Sequence, residues 1–252
     1  MYNSLKNTVY TLLPEHYVLK NKDKLRKTLA RFYKGSTYHC NLCDFNMRSF
    51  IITNNNLRIC PNCGSLSRTR RLWEILKPEI NHKTVLHFSP NEALVTKIKE
   101  TKFKSYITSD YDGEFKADKS FNIESIEEID NSYDIIICYH ILEHVENDKK
   151  AMKELYRILK PNGKVYIQTP FKEGDIYENS NMTSKLDRLK HFGQEDHVRI
   201  YSIDGILKRL ESVGFKTKRL KYKEAKNNRI GLDEHEHVII ATKELTKPKP
   251  EY

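Results

Sequence analysis

Hydrophobic and polar positions switch between two periods along this chain, and the clearest stretch lies between Tyr133 and Pro170. Tyr133 to Tyr139 is a short, nearly continuous apolar run, the pattern of a strand buried on both faces. A polar turn bearing His140, Glu143 and His144 follows. Met152, Leu155, Ile158 and Leu159 then recur at helical spacing and predict an amphipathic helix. Pro161-Asn162-Gly163 is expected to stop that helix, with a second apolar strand starting at Val165. Strand, helix and strand in this order form a βαβ unit, whose two strands lie parallel in a buried sheet. Ligands collect outside the carboxyl ends of such strands. Here those ends carry Tyr139, His140, Glu143 and His144 on one side, and Thr169, Pro170 and Phe171 on the other.

The same patterning extends in both directions. TVLHF, Thr84 to Phe88, predicts a strand, and Ser89, Pro90 and Glu92 predict the helix after it. Ser89 suits the N-cap, Pro90 the first helical position, and Glu92 completes a capping box. Such a turn leaves backbone N–H groups facing the ligand crevice. The next strand, KSYITSD, ends at Asp110, where an acid meets ribose hydroxyls in nucleotide-binding sheets; Asp112 is the second choice. IYSIDGILKRLESVGFKTKRL predicts a helix and strand, and HEHVIIATKEL a last strand. Between them Phe171 to Arg199 is a long polar connection, the length of a functional lid. It holds Tyr177, Glu178, Arg188, His191, Glu195, Asp196, His197 and Arg199.

Cysteine spacing adds a second chemistry. Cys40-x2-Cys43, a spacer of 16 residues and Cys60-x2-Cys63 are two tight pairs able to present four thiolates to one zinc ion. Pro61 and Gly64 supply the rigid φ and the positive φ that such a knuckle requires. Four thiolates leave no position for water, so the expected zinc is structural. Cys138 falls inside a strand and reads as core.

Charge is unevenly spread over the 252 residues: residues 1–80 hold 14 Lys+Arg against 5 Asp+Glu, and the remainder 30 against 29. A basic region of this kind suits either a phosphate-bearing partner or a solvated helical face. Arg68, Arg70 and Arg71, in the predicted helix Ser67 to Leu76, are expected to face a ligand phosphate or water. His140-Ile-Leu-Glu143-His144 also spells a zinc-peptidase pattern. A peptidase needs it on a sizeable helix, whereas here it directly follows a buried strand.

VLHFSPNEAL, Asp134 at the head of its strand, LEHV, LKPNG at Leu159 to Gly163, and HFGQEDHVRIY together carry a family resemblance over roughly residues 83 to 240. The chain resembles class I S-adenosylmethionine-dependent methyltransferases, in which an acid opens the fourth strand and LKPGG precedes the fifth. It is similar, more narrowly, to a subset with an N-terminal zinc ribbon and an LHF-x-P-x-E turn replacing the glycine-rich loop. The resemblance implies an α/β, Rossmann-like methyltransferase sheet of seven strands, the last antiparallel, with an N-terminal helical and zinc-ribbon appendage. ADKSFNIESI resembles the family's third strand and adenine loop. S-adenosylmethionine is then expected against His87, Ser89, Pro90, Glu92, Asp110, Asn122, Ile123 and Tyr139. The acceptor is expected between His140 and the His191-to-Arg199 segment, with His140 or His197 as base and Asp196 as orienter. Glu195 belongs to the same cluster, and Arg199 would meet an anionic group.

The expected reaction is O- or N-methylation of a small-molecule or sugar-linked acceptor. Two alternatives stand beside it: a zinc-ribbon RNA methyltransferase using the basic N-terminal part, and a non-catalytic nucleic-acid- or protein-binding module. No stretch approaches a membrane span and no apolar signal region opens the chain, so a cytoplasmic protein is expected. The expected organisation is a basic helical segment (1–37), a zinc ribbon with its connecting helix (38–80), the methyltransferase domain (81–244) and a flexible tail (245–252).

Overall fold

A computed structural model describes residues 16, 21–223 and 227–245. The expected tail, beyond Leu245, and most of the first twenty residues of the basic segment lie outside the described residues. The chain divides into two compact units that interleave in sequence.

The first unit draws on Met1–Glu79, Asn91–Thr101 and Tyr222–Glu236. Helix α1 (Lys22–Ala30) passes through a 3-10 turn (Arg31–Tyr33) into β1 (Lys34–His39), antiparallel to β2 (Asn46–Met47). β3 (Ile51–Ile52) pairs with β4 (Arg58–Ile59), and α2 (Ser67–Leu76) and α3 (Glu92–Lys99) complete the unit. α2 has the predicted span, but two of its arginines do not face phosphate or water. Arg70 is fully buried beside the Phe50 ring. It donates to the carbonyls of Ser65 (2.6 Å), Ile230 (2.7 Å), Gly231 (2.8 Å) and Arg58 (3.1 Å). Arg71, 4% exposed, pairs with Glu236 at 2.5 Å. Burial forces each of these charges to find partners, which is why they tie the 222–236 segment to α2. Gly231, at φ 63°, sits where a Cβ would meet the Phe50 ring at 2.2 Å.

The cap of α3 also departs from expectation. Asn91, not Ser89, closes it, its Oδ1 accepting from the amides of Ala93 (3.1 Å) and Leu94 (3.4 Å). Glu92 is therefore the first helical residue rather than the third, and the expected capping box is absent.

The second unit draws on Ile80–Pro90, Lys102–Lys221 and His237–Tyr252. Its six-stranded sheet contains β5 (Thr84–Phe88), β6 (Ser105–Ser109), β7 (Tyr133–Tyr139), β8 (Leu159–Gln168), β12 (Lys216–Lys221) and β13 (His237–Thr242). Their order is β12-β13-β8-β7-β5-β6. β6, β5, β7 and β8 run parallel, and β13 is antiparallel to both its neighbours. Helices α4 (Asp148–Ile158) and α6 (Ile203–Val213) bury Met152, Leu155, Ile206 and Leu210 with Ile136, Val165 and Ile239 of the sheet.

Two expectations are corrected here, the strand count and the end of the helix of the βαβ unit. The seventh strand is missing among the described residues: the segment expected to form it makes only isolated bridges, Ser109↔Lys119 and Asn122↔Ser125. Asp118 interrupts it, accepting from the Thr108 amide (2.9 Å) and hydroxyl (2.7 Å) in place of a ladder. Leu159 belongs to β8 rather than to the helix, because β8 starts there and carries Pro161-Asn162-Gly163 inside it. Pairing jumps from Tyr133↔Leu159 to Ile135↔Lys164, so those residues form a bulge. The long connection has secondary structure of its own. It contains β9 (Phe171–Lys172), β10 (Tyr177–Glu178) and α5 (Lys185–Phe192), and β9 and β10 flank β11 (Arg199–Ser202) in a small sheet.

Candidate active site

The carboxyl ends of β5, β6, β7 and β8 carry the candidate residues, as parallel pairing requires. At the end of β5, Ser89 adopts φ 43°, a left-handed conformation that costs a residue with a Cβ, and its amide donates to the Ser109 carbonyl at 2.8 Å. The backbone shape that glycine ordinarily supplies at such a turn is thus made by serine. His87, two residues earlier, is buried and bonds the Tyr106 hydroxyl through Nδ1 at 2.8 Å. Burial drives its pKa down to about 3, so it is a neutral core residue rather than a solvent-facing one.

Asp110, at the end of β6, is 7% exposed. Its Oδ2 accepts from the Phe115 amide at 3.0 Å, and Oδ1 makes no hydrogen bond among the described residues. Asp112 is exposed. Asn122 is exposed with Oδ1 capping the Glu124 amide at 2.9 Å, and Ile123 beside it is buried. Pro90 is buried, Tyr139 half-buried, and Glu92 lies exposed on α3 of the first unit.

The end of β7 is more unusual. His140 takes φ 55°, and its amide is fixed to the Gln168 carbonyl of β8 at 2.8 Å. Its Nδ1 bonds Glu143 Oε1 at 3.1 Å. Glu143 is 1% exposed; burial pushes its carboxyl up, but His140, its own backbone amide and His144 together hold it below the usual carboxylate range. Four buried polar atoms here have no hydrogen-bond partner among the described residues: His140 Nε2, Glu143 Oε2, Gln168 Oε1 and Thr169 Oγ1. They come from the ends of two adjacent strands. Buried polar groups are rarely left unbonded, and a concentration of them at a ligand edge marks a binding site.

The late histidine-bearing segment is arranged differently from expectation. Asp196 pairs with His144 Nδ1 at 3.0 Å rather than orienting His197. His197 is buried, with its ring edge-on to His144 at 4.7 Å between centroids. Burial, and then the neighbouring His144, push its pKa down. Glu195 is exposed. Arg199 is 5% exposed and faces inward: it donates to the carbonyls of Leu142 (3.0 Å), Val145 and Glu146 (2.8 Å) and to Glu178 (3.0 Å). It clamps the turn after β7, committing four of its five N–H donors within its own unit rather than facing an acceptor's anionic group. Glu143 and Thr169 are placed on the ligand edge by the sequence but given no role there. Glu143 stands inside the H-x-x-E-H spacing, and Thr169 directly after an apolar strand, the signals that could have given each a role.

In the first unit, the four cysteine sulfurs lie within 4.8 Å of one another. Cys40–Cys63 and Cys43–Cys60 stand 3.7 Å apart, too far for disulfides. Four sulfurs about 2.3 Å from one tetrahedral ion have edges of about 3.8 Å, so the set fits a metal without rearrangement. Gly64 has the positive φ a knuckle requires, 73°, and the Arg26 guanidinium lies over it.

Residues 64–220 match the family model described as a methyltransferase domain. The chain belongs to this family, and with it to the S-adenosylmethionine-dependent methyltransferases as a class. An S-adenosylmethionine-dependent methyltransferase from Archaeoglobus fulgidus shares the fold, with TM-score 0.51 at 19% identity over 70% of this chain and 93% of that one. An uncharacterized protein of Methanocaldococcus jannaschii is 34% identical over 76 residues, 30% of this chain and 31% of its own. A ubiquinone biosynthesis O-methyltransferase of Rickettsia conorii is 43% identical over 47 residues, 18% of this chain and 16% of its own. The chain thus spans less than a third of the length of these curated relatives.

Proposed function

We propose that this chain methylates an oxygen or nitrogen of a small-molecule or sugar-linked acceptor, taking the methyl group from S-adenosylmethionine. The observation that carries this reading is the set of partnerless buried atoms at the ends of β7 and β8 in a chain of the methyltransferase family. The residues present fit the cofactor: Ser89 provides the left-handed turn, and Asp110 keeps one carboxylate oxygen available for ribose hydroxyls. When bound, S-adenosylmethionine supplies an electrophilic methyl on a sulfonium. The protein's part is to align the acceptor and take its proton.

His140 suits that second task. With Nδ1–H directed at Glu143, Nε2 is the nitrogen able to accept a proton, and the buried carboxylate stabilises the imidazolium that results. The strained backbone at His140 holds the ring in place, since its amide cannot leave Gln168 without breaking the strand end. Zinc in the tetrathiolate set is the structural ion of the first unit. No observation in α2 favours RNA, because Arg70 and Arg71 are spent on their own unit.

His140→Ala is expected to retain S-adenosylmethionine affinity while turnover on a verified acceptor falls about 10²- to 10⁴-fold. Undiminished turnover in that variant sinks the assignment of His140 as base.

A further inference from the structure

Beyond the methyl-transfer reading, Glu143, His144 and His197 form a separate cluster in the second unit. One donor atom from each lies within 4.8 Å of the other two. No hydrogen bond joins the three donors to one another among the described residues. Glu143 Oε1 is taken by His140, while Oε2 is buried and partnerless. A carboxylate oxygen in that state, next to two imidazoles, requires a positive partner to offset its desolvation.

The surroundings of the two histidines point the same way. Asp196 holds His144 Nδ1 at 3.0 Å, which leaves Nε2 to coordinate. His197 is buried with its ring edge-on to His144 at 4.7 Å between centroids, so its ring nitrogens lie beside those of His144. A carboxylate on the far nitrogen, as Asp196 gives His144, is the outer-shell contact that orients a metal-ligating histidine. Donors on one ion with bonds of about 2.1 Å stand at most about 4.2 Å apart, so small side-chain rotations bring all three onto one centre.

We propose that Glu143, His144 and His197 bind one divalent first-row transition metal ion, a second metal site distinct from the four cysteines. Two imidazoles and one carboxylate select Fe2+, Co2+ or Zn2+ over Mg2+ or Ca2+, which take mainly oxygen. Three protein ligands leave coordination positions available, unlike the closed cysteine set. Glu143 would then serve both neighbours, with Oε1 toward His140 and Oε2 toward the ion.

The test uses the full chain with zinc already in its cysteine site, titrated with Co2+. The expected result is one further equivalent bound per chain, giving weak visible d–d bands without the near-ultraviolet charge transfer of cobalt–thiolate bonds. His197→Ala is expected to weaken that binding at least tenfold, with zinc in the cysteine site unchanged. Asp196 is an exposed second partner, so Asp196→Asn keeps the test sound should His197→Ala misfold; it is expected to weaken Co2+ about 10- to 100-fold. Because the readout is metal binding, it is independent of any methyl-transfer assay. The proposal is overturned if wild type leaves Co2+ free to millimolar concentration. It is equally overturned if Asp196→Asn, and His197→Ala where it folds, bind Co2+ as wild type does.

Discussion

Arg199 belongs to a run of ionisable residues whose composition suggests a ligand site, yet its guanidinium is used within its own unit. Three carbonyls of the turn after β7 and the Glu178 carboxylate occupy it. Arg209 shares Glu178 and also reaches Asp148 at 2.5 Å, where the Tyr201 hydroxyl bonds too. Removing Arg199 leaves several buried acceptors unpaired at once. Arg199→Ala is therefore expected to lower unfolding free energy by about 3 kcal/mol, measured by denaturant titration. Unchanged stability with weakened acceptor binding would instead return Arg199 to the acceptor site. The contrast with His140 shows what one-dimensional reading can reach at this scale. The position of His140 was legible because it directly follows a clearly apolar strand. The inward turn of Arg199 depends on carbonyls more than fifty residues away in sequence, which no local pattern encodes.

Among elements, those whose burial is set by their own periodicity were legible: β5, β7, α2 and the existence of helix α6. Those whose form depends on a partner were not. β8 begins at Leu159 because Tyr133 pairs with it, and the bulge is fixed by Lys160 reaching Asp134 at 2.8 Å. The expected third strand lost its ladder to the Asp118 side chain. Asn91 took the cap of α3 because Ser89 was committed to a left-handed turn. The cysteine knuckles were legible for a different reason: metal spacing is nearly independent of the rest of the fold. Cys60→Ser should abolish tetrathiolate binding, read as loss of the near-ultraviolet charge-transfer bands of the Co2+-substituted cysteine site. Amides of residues 38–65 should lose exchange protection at the same time. Bands of wild-type intensity in that variant would defeat the four-cysteine assignment.

At the scale of the whole molecule, the chain passes twice out of one compact unit and back into it. Arg70 and Arg71 explain part of that weaving, since each binds carbonyls or a carboxylate of the segment 222–236 within the first unit. Sequence alone divides such a chain into contiguous stretches, because buried arginines and surface arginines look alike until their partners are known. No helix among the described residues is long and apolar enough to cross a membrane. The central claim concerns the second unit: a parallel sheet whose strand ends hold S-adenosylmethionine despite the serine turn. Calorimetric titration of S-adenosylmethionine into the zinc-loaded full chain tests this most directly. The account predicts saturable one-to-one binding in wild type, weakened by about 2 kcal/mol, roughly thirty-fold, in Asp110→Ala, where ribose hydroxyls lose a charged acceptor. A wild-type chain that shows no saturable binding would contradict it.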